Sequence, residues 1–150
     1  MRSVVVRGMI AGAAGVAAMT IGEKIEQTFT HRPNSYVPAH TLARLVHLPE
    51  PDADRRWLNW VMHWGQGSLL GIVRAWLGSR GIAGPFGSFV FWFLRLAADQ
   101  TLENATGAGS PPWTWPRGEQ AIDIAHKGIY AFTTGMVADA LHNSSGNQNR

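Results

Sequence analysis

The sequence contains no cysteine, and this absence removes several kinds of chemistry at once. Disulfide bridges, thiolate nucleophiles and cysteine-ligated metal centres are all excluded. Charged residues are also scarce, at 15% of the chain, where an ordinary globular protein has about 25%. The charge content is therefore low for a typical water-soluble domain.

The basic residues show neither a large excess nor a clustered pattern. Lys and Arg outnumber Asp and Glu by only three, and no run of basic residues occurs. A nucleic-acid-binding surface needs a basic patch or stripe, so no nucleic-acid partner is expected. The chain also lacks a glycine-rich phosphate loop, a nucleophile elbow and a zinc-protease motif. An enzyme is therefore the least favoured class, and no cofactor is predicted.

An apolar stretch near the start of the chain is the most informative feature that is present. Over Val4–Gly22 the only charged residue is Arg7. A helix rises about 1.5 Å per residue, so this stretch matches the thickness of a bilayer's hydrocarbon core. A cleaved signal peptide is the alternative, with Arg2 before the apolar run and Ala17-Ala18 near a cleavage site. Because Arg7 and several glycines weaken that pattern, we favour a membrane-spanning helix.

Small residues recur on one face of this first helix. Gly8, Gly12 and Gly15 are spaced by four and three, which places them on one side of a helix. Seventeen glycines and seven tryptophans in the whole chain are typical of membrane helices and their interfaces. Small-residue faces allow two helices to approach closely in lipid. We therefore predict that the first helix packs against other helices through these three glycines.

Four long helices are predicted from the apolar runs and the turn residues between them. Their expected ranges are 4–28, 57–77, 82–104 and 119–141, within a single transmembrane domain at 1–143. The polar residues 144–150 are predicted to form a disordered tail. Prolines interrupt the connection after the first helix and leave room for a short helix at 39–47. That short helix lies either at the membrane interface or in a solvated loop.

The fourth predicted helix carries charges that are costly in lipid. These are Asp123, Lys127 and Asp139. The helix spans the membrane if its polar face, which includes His126, points into a bundle. Otherwise it lies on the membrane surface as an amphipathic helix. The sequence leaves both arrangements open.

The two halves of the chain share an order of features. In each half an acidic residue closes a helix, two prolines follow five positions apart, and a His-x-Gly motif begins the next helix. The motifs are His63-x-Gly65 and His126-x-Gly128. Because the comparison needs gaps, a duplication and a chance match are equally favoured. The sequence as a whole predicts an all-α, multi-pass membrane protein, a four-helix bundle of two pseudo-repeated helical hairpins, and a duplication would relate the hairpins by an axis along the membrane normal.

Antiparallel pairing within these hairpins brings polar side chains to the same end of the bundle. The predicted cluster consists of Glu23, Glu26, His63, Asp99, Glu103 and His126. A carboxylate beside an imidazole can exchange a proton near neutral pH. Two histidines with two carboxylates can also ligate a divalent metal, and the candidate ligands are His63, His126, Glu26 and Glu103. The alternative is that each group is only a helix cap exposed to water.

The first helix resembles one known family. Gly8-x-x-x-Gly12 followed by Met19 and Glu23 is similar to the pattern of the YagU-like small inner-membrane proteins, and the His63-x-Gly65 motif adds to the likeness. The resemblance covers the helical core. It implies a multi-pass membrane location and assigns neither an activity nor functional residues.

Three classes of function follow from these observations. The first is an integral membrane protein that handles protons or a small solute through the Glu/His cluster. The second is a structural or accessory membrane subunit without a chemical site. The third is a membrane protein that holds a haem or a metal between His63 and His126. The expected partner is the lipid bilayer, with a second copy of the chain or another membrane protein as further candidates.

Overall fold

The computed structural model describes residues 2–49 and 56–147, with side chains at 4–49 and 56–144. Within these ranges the chain forms five α-helices and no strand, and the all-α prediction is confirmed. The helices are α1 (Arg2–Thr30), α2 (Val37–Leu45), α3 (Arg56–Ser79), α4 (Gly84–Ala105) and α5 (Arg117–Asn147). A short 3₁₀ helix, Pro112–Thr114, lies in the connection between α4 and α5.

The observed helices contain the predicted segments 4–28, 57–77 and 119–141 and extend beyond them, whereas α4 begins two residues later than the predicted segment 82–104 and ends one residue after it. The largest difference is at the end of α5, which continues to Asn147 where a disordered tail was predicted from residue 144. Within this polar last part of the helix the Ser144 hydroxyl donates a hydrogen bond to the Ala140 carbonyl at 2.9 Å. Residues 148–150 lie outside the described part of the chain.

The short helix α2 begins two residues before the predicted segment at 39–47. Pro38 occupies its first turn, where the missing proline N–H costs no intrahelical hydrogen bond. Asn59 of α3 then holds α2 from outside, because its Oδ1 accepts from the Ala39 N–H at 3.1 Å. Its Nδ2 donates to the Ser35 carbonyl at 3.2 Å. The segment before α2 is thereby attached to the start of α3.

The four long helices α1, α3, α4 and α5, called here the helical core, pack side by side. α1 contacts α3 and α5 extensively, α4 contacts mainly α5, and α2 lies against α3. The glycine face of α1 makes the closest approach. A Cβ on Gly8 would overlap the backbone of Ile72, and one on Gly12 would overlap the Gly67 carbonyl oxygen. A Cβ on Gly15 would overlap Thr134 of α5, so the predicted packing glycines contact two different helices.

Charged side chains are buried in the helical core while large apolar side chains cover its outside. Arg74, Arg95, Asp99 and Lys127 are each at most 6% exposed. The outward-facing apolar residues occur on all four long helices and include Ile10, Ile21, Ile25, Phe29, Trp60, Leu69, Phe86, Phe93, Phe132 and Met136. Charged groups are rarely buried in water-soluble proteins unless they are paired, and here they lie beside buried apolar side chains such as Val16, Phe91 and Tyr130.

Among the described helices, α1 alone is long and apolar enough to cross a membrane by length and composition. The candidate span is Val4–Thr30. Of the 18-residue stretch used to judge its hydropathy, 33% is buried. Signal sequences and buried helices of water-soluble proteins meet the same criterion. The predicted spans in α3, α4 and α5 therefore have no support from hydropathy.

A charged cavity at one end of the helical core

A cavity of about 380 Å³ lies where the C-terminal ends of α1 and α4 meet the N-terminal ends of α3 and α5. The segment before α2 and the connection after the 3₁₀ helix complete its wall. Its charged lining is balanced, with acidic residues Glu23, Asp99, Glu103, Glu119 and Asp123 and basic residues Lys24, Arg32, Arg56, Arg95 and Lys127. The antiparallel order of the helices thus gathers both signs of charge at one end.

Most of the predicted polar cluster lies on the wall of this cavity. The members that line it are Glu23, His63, Asp99, Glu103 and His126. Glu26 does not line it. Its carboxylate pairs with Arg32 at 3.1 Å and accepts a short hydrogen bond from the Thr30 hydroxyl. Arg32 also lies 3.6 Å from Glu119, so Glu26 belongs to a link between α1 and α5 instead.

Asp99 is the centre of the buried charge network beside the cavity. Its Oδ2 lies 3.1 Å from Arg95 Nε and 3.4 Å from Lys127 Nζ. Its Oδ1 accepts a hydrogen bond from Gln66 Nε2 at 2.9 Å. Lys127 donates in turn to Asp123 at 2.8 Å. Two cations and two anions therefore balance one another across α4 and α5, as buried charges require, and α3 adds the neutral Gln66.

Arg95 has hydrogen-bonding capacity that the described residues do not use. Its guanidinium carbon lies 4.9 Å from the centroid of the Tyr130 ring, a cation–π contact. Its Nη1 is buried and has no hydrogen-bond partner among the described side chains and backbone. Buried donors in native proteins are nearly always paired. Arg95 lines the cavity, but Nη1 itself has almost no accessible surface, so a molecule in the cavity does not reach it in this arrangement.

Neither cavity histidine pairs directly with a carboxylate in the described part of the chain. His63 Nε2 lies 3.4 Å from the Thr20 hydroxyl, and His126 lies on the opposite wall formed by α5. The acidic side chains are engaged by Arg and Lys instead, as at Asp99. The expected carboxylate–imidazole pairs are therefore absent among the described residues.

A metal site is not formed by the described residues. No three of their His, Asp or Glu side chains gather closely enough to hold an ion. The physical reason is visible at Glu26, whose carboxylate is committed to Arg32. The proposed ligand set of His63, His126, Glu26 and Glu103 is therefore not assembled, and the metal interpretation is dropped.

Two features of the site escaped the sequence analysis. The sequence predicts Lys127 to be unfavourable in lipid. Its spacing of four from Asp123, however, favours an ion pair on one face of the helix, and the structure has that pair. The unpaired Nη1 of Arg95 has no sequence signal at all, because it depends on which side chains surround it.

This chain matches no family model, no curated protein and no solved structure. The resemblance to the YagU-like proteins accordingly stays a prediction.

Proposed function

We propose that this chain is a membrane protein of four spanning helices that handles a small polar solute in its charged cavity. The observation that carries the proposal is the presence of large exposed apolar side chains on all four long helices, together with four charged side chains buried inside them. Phe29, Phe86 and Met136 are 79%, 69% and 65% exposed. In water, apolar area of this kind costs about 25 cal/mol per Å². In lipid the same faces are solvated by hydrocarbon.

The charges in α3, α4 and α5 are compatible with a membrane because they face inward in pairs. Lys127 contacts Asp99 and Asp123, and Arg74 contacts Asp139. Ionisable groups within membrane helices characteristically point into the bundle and pair with one another. A hydropathy average treats these residues as if they faced lipid. It therefore underestimates how well a helix with paired charges fits in a membrane.

The lengths of the helices support the same arrangement. α3, α4 and α5 contain 24, 22 and 31 residues. At about 1.5 Å per residue, each is longer than the roughly 30 Å hydrocarbon core. The cavity then lies at one face of the membrane, where water reaches it.

A polar solute is favoured because the cavity has a suitable size and a polar wall. Binding pockets for small ligands usually enclose about 300–1,000 Å³. The wall of this one offers both signs of charge and two histidines. A purely structural subunit has no use for such a cavity.

Proton exchange is the second candidate function. Glu103 lines the cavity together with His63 and His126, and it belongs to no ion pair among the described residues. The Glu103 carboxyl can take up or release a proton without breaking the Asp99 network. A potentiometric titration of the purified protein between about pH 5 and 8 should lose one proton in Glu103→Gln, and an unchanged proton count would exclude this residue.

Single cysteines in this cysteine-free chain test the main proposal. Thr20→Cys and Ser35→Cys place a thiol on the cavity wall, and Met136→Cys places one on the apolar outside. In sealed membranes, a membrane-impermeant maleimide should label the two cavity thiols and leave the Met136 position unlabelled until the protein is denatured. Equal labelling of all three in an aqueous extract would show a water-soluble protein and end the proposal.

A further inference from the structure

The connection between α1 and α2 crosses the edge of the charged cavity. α1 ends where His31 adopts a φ of 56°, in the left-handed region that histidine enters more readily than most residues. The chain then runs without helical structure as far as Tyr36. Residues 31–36 are called here the strap, and four of them, Arg32, Asn34, Ser35 and Tyr36, line the cavity.

The mouth of the cavity lies between the strap and the start of α5. Asn34 of the strap lines the cavity and is exposed, and the same holds for Pro116 on the α5 side. The α5 side is braced, because Gln120 Nε2 donates to the carbonyls of Pro112 and Trp115 at 2.8 and 3.0 Å. The strap instead depends on contacts with the helices around it.

Contacts with α1 and α3 hold the strap on two sides. Asn34 Oδ1 accepts a hydrogen bond from Lys24 Nζ of α1 at 2.6 Å. Arg32 Nη2 lies 3.1 Å from Glu26 Oε2, also on α1. The strap backbone accepts a hydrogen bond from Asn59 Nδ2 of α3 at 3.2 Å. The strap is therefore anchored at the α1 and α3 sides of the cavity.

A single ion pair joins the strap to α5 in the described part of the chain. Arg32 Nη1 lies 3.6 Å from Glu119 Oε2, and the Glu119 side chain is 45% exposed. Exposed pairs of this kind contribute little to stability. Separating them leaves neither charge stranded, because Arg32 keeps Glu26 as a partner and water solvates Glu119. The strap can therefore leave α5 at low cost in free energy.

We infer that the strap controls access to the cavity and that the ion pair between Arg32 and Glu119 holds it closed. When the pair separates, the strap moves about its attachments to α1 and α3, and the mouth widens beside α5. The solute enters and leaves through this opening. This inference rests on the proposed function, since it concerns access to the same cavity.

The test measures how fast a thiol on the cavity wall reacts in the purified full-length chain in detergent. Thr20→Cys supplies the thiol, one helical turn before Lys24 on α1. The reagent is a maleimide with an uncharged polyethylene glycol chain, so that nearby charges do not affect its approach. We expect Glu119→Gln to raise the labelling rate about two- to fivefold. Glu119→Arg, which repels Arg32, should raise it further.

Salt provides an independent test of the same ion pair. Dissolved ions screen exposed charges, so a higher salt concentration should accelerate labelling of Thr20→Cys in the parent background. The acceleration should be much smaller in the Glu119→Gln background, where this pair is already absent. A salt effect of the same size in both backgrounds would exclude the pair as the contact that holds the strap.

Two controls distinguish opening of the strap from general loosening of the protein. Arg117→Gln also removes one charge from the exposed start of α5, but Arg117 is not part of the cavity wall. This variant should leave the rate at Thr20→Cys unchanged. Ser110→Cys, an exposed position between α4 and α5, should label equally fast with and without Glu119→Gln. Unfolding midpoints verify that the Glu119 variants are folded.

The outcomes separate this inference from the proposed function. Equal labelling of Thr20→Cys in the parent, Glu119→Gln and Glu119→Arg backgrounds would overturn the role of the strap and leave an open cavity. An equal acceleration by Arg117→Gln would show that the ion pair is not the cause. If Thr20→Cys stays unlabelled in every background while Ser110→Cys reacts, water does not reach the cavity, and the proposed function itself is rejected.

Discussion

Arg74 of α3 and Asp139 of α5 form a two-point ion pair at the end of the helical core remote from the cavity. Arg74 Nη1 lies 3.1 Å from Asp139 Oδ1, and Nη2 lies 2.7 Å from Oδ2. The Gly84 N–H also donates to Asp139 Oδ2 at 2.9 Å, which joins the start of α4 to the same carboxylate. Arg74 is fully buried. Because Gly84 also binds Asp139, the pair joins α3, α4 and α5.

Removing the carboxylate of this pair should destabilise the protein strongly. Asp139→Ala leaves the buried Arg74 guanidinium without its anion, a change that typically costs about 3–5 kcal/mol. The double variant Arg74→Met, Asp139→Leu should recover most of that loss, since it removes the uncompensated charge as well. Thermal unfolding in detergent measures both. Arg80→Gln is the control, because Arg80 is an exposed arginine that only covers the Trp76 ring. A double variant as unstable as Asp139→Ala would contradict this account.

The glycine face of α1 should tolerate no side chain. In Gly12→Leu the new Cβ would overlap the Gly67 carbonyl oxygen, so α1 and α3 must separate. We expect a loss of about 1–3 kcal/mol or more, measured as a lower unfolding midpoint in detergent. Gly65→Ala is a control in open space and should stabilise by up to about 1 kcal/mol through helix propensity. Similar midpoints for the two variants would show that α1 does not pack as described.

Asp99 and Asp123 should differ in their effect on stability although both contact Lys127. Asp99 is buried and also neutralises Arg95, so Asp99→Asn should cost about 3–5 kcal/mol. The Asp123 side chain is 29% exposed, and Asp123→Asn should cost about 1 kcal/mol or less. Unfolding midpoints of the two variants, compared under the same detergent conditions, decide this. The reverse order would mean that Asp123 anchors the network.

Four spanning helices require the two short interhelical connections to lie on opposite sides of the membrane. Ser79 ends α3 beside the turn into α4, and Ser110 lies between α4 and α5 at the cavity end. An impermeant maleimide added to one side of sealed, oriented vesicles should label only one of Ser79→Cys and Ser110→Cys. Addition to the other side should label only the other variant. Labelling of both from one side would leave α1 as the sole candidate span.

The sequence alone was sufficient to predict the long helices and the end of the helical core at which polar side chains gather. Prolines and glycines separate the long apolar segments, and helix geometry follows from local spacing. Helices joined in antiparallel order must bring Glu23 and His63 to one end, and the structure places both on the cavity wall. The number of membrane spans stays a prediction, because α1 alone meets the hydropathy criterion.

Only the tertiary structure decided which charges pair and where space remains. Glu26 was grouped with the cavity residues but contacts Arg32, whereas Lys127 reaches Asp99 on another helix. Arg74 and Asp139 are 65 positions apart, and nothing local links them. The physical reason is that spacing along a helix determines which residues share a face, but not how that helix is rotated against its neighbours. Close contacts such as that of Gly12 with α3 determine the rotation, and the rotation determines the ion pairs and the cavity.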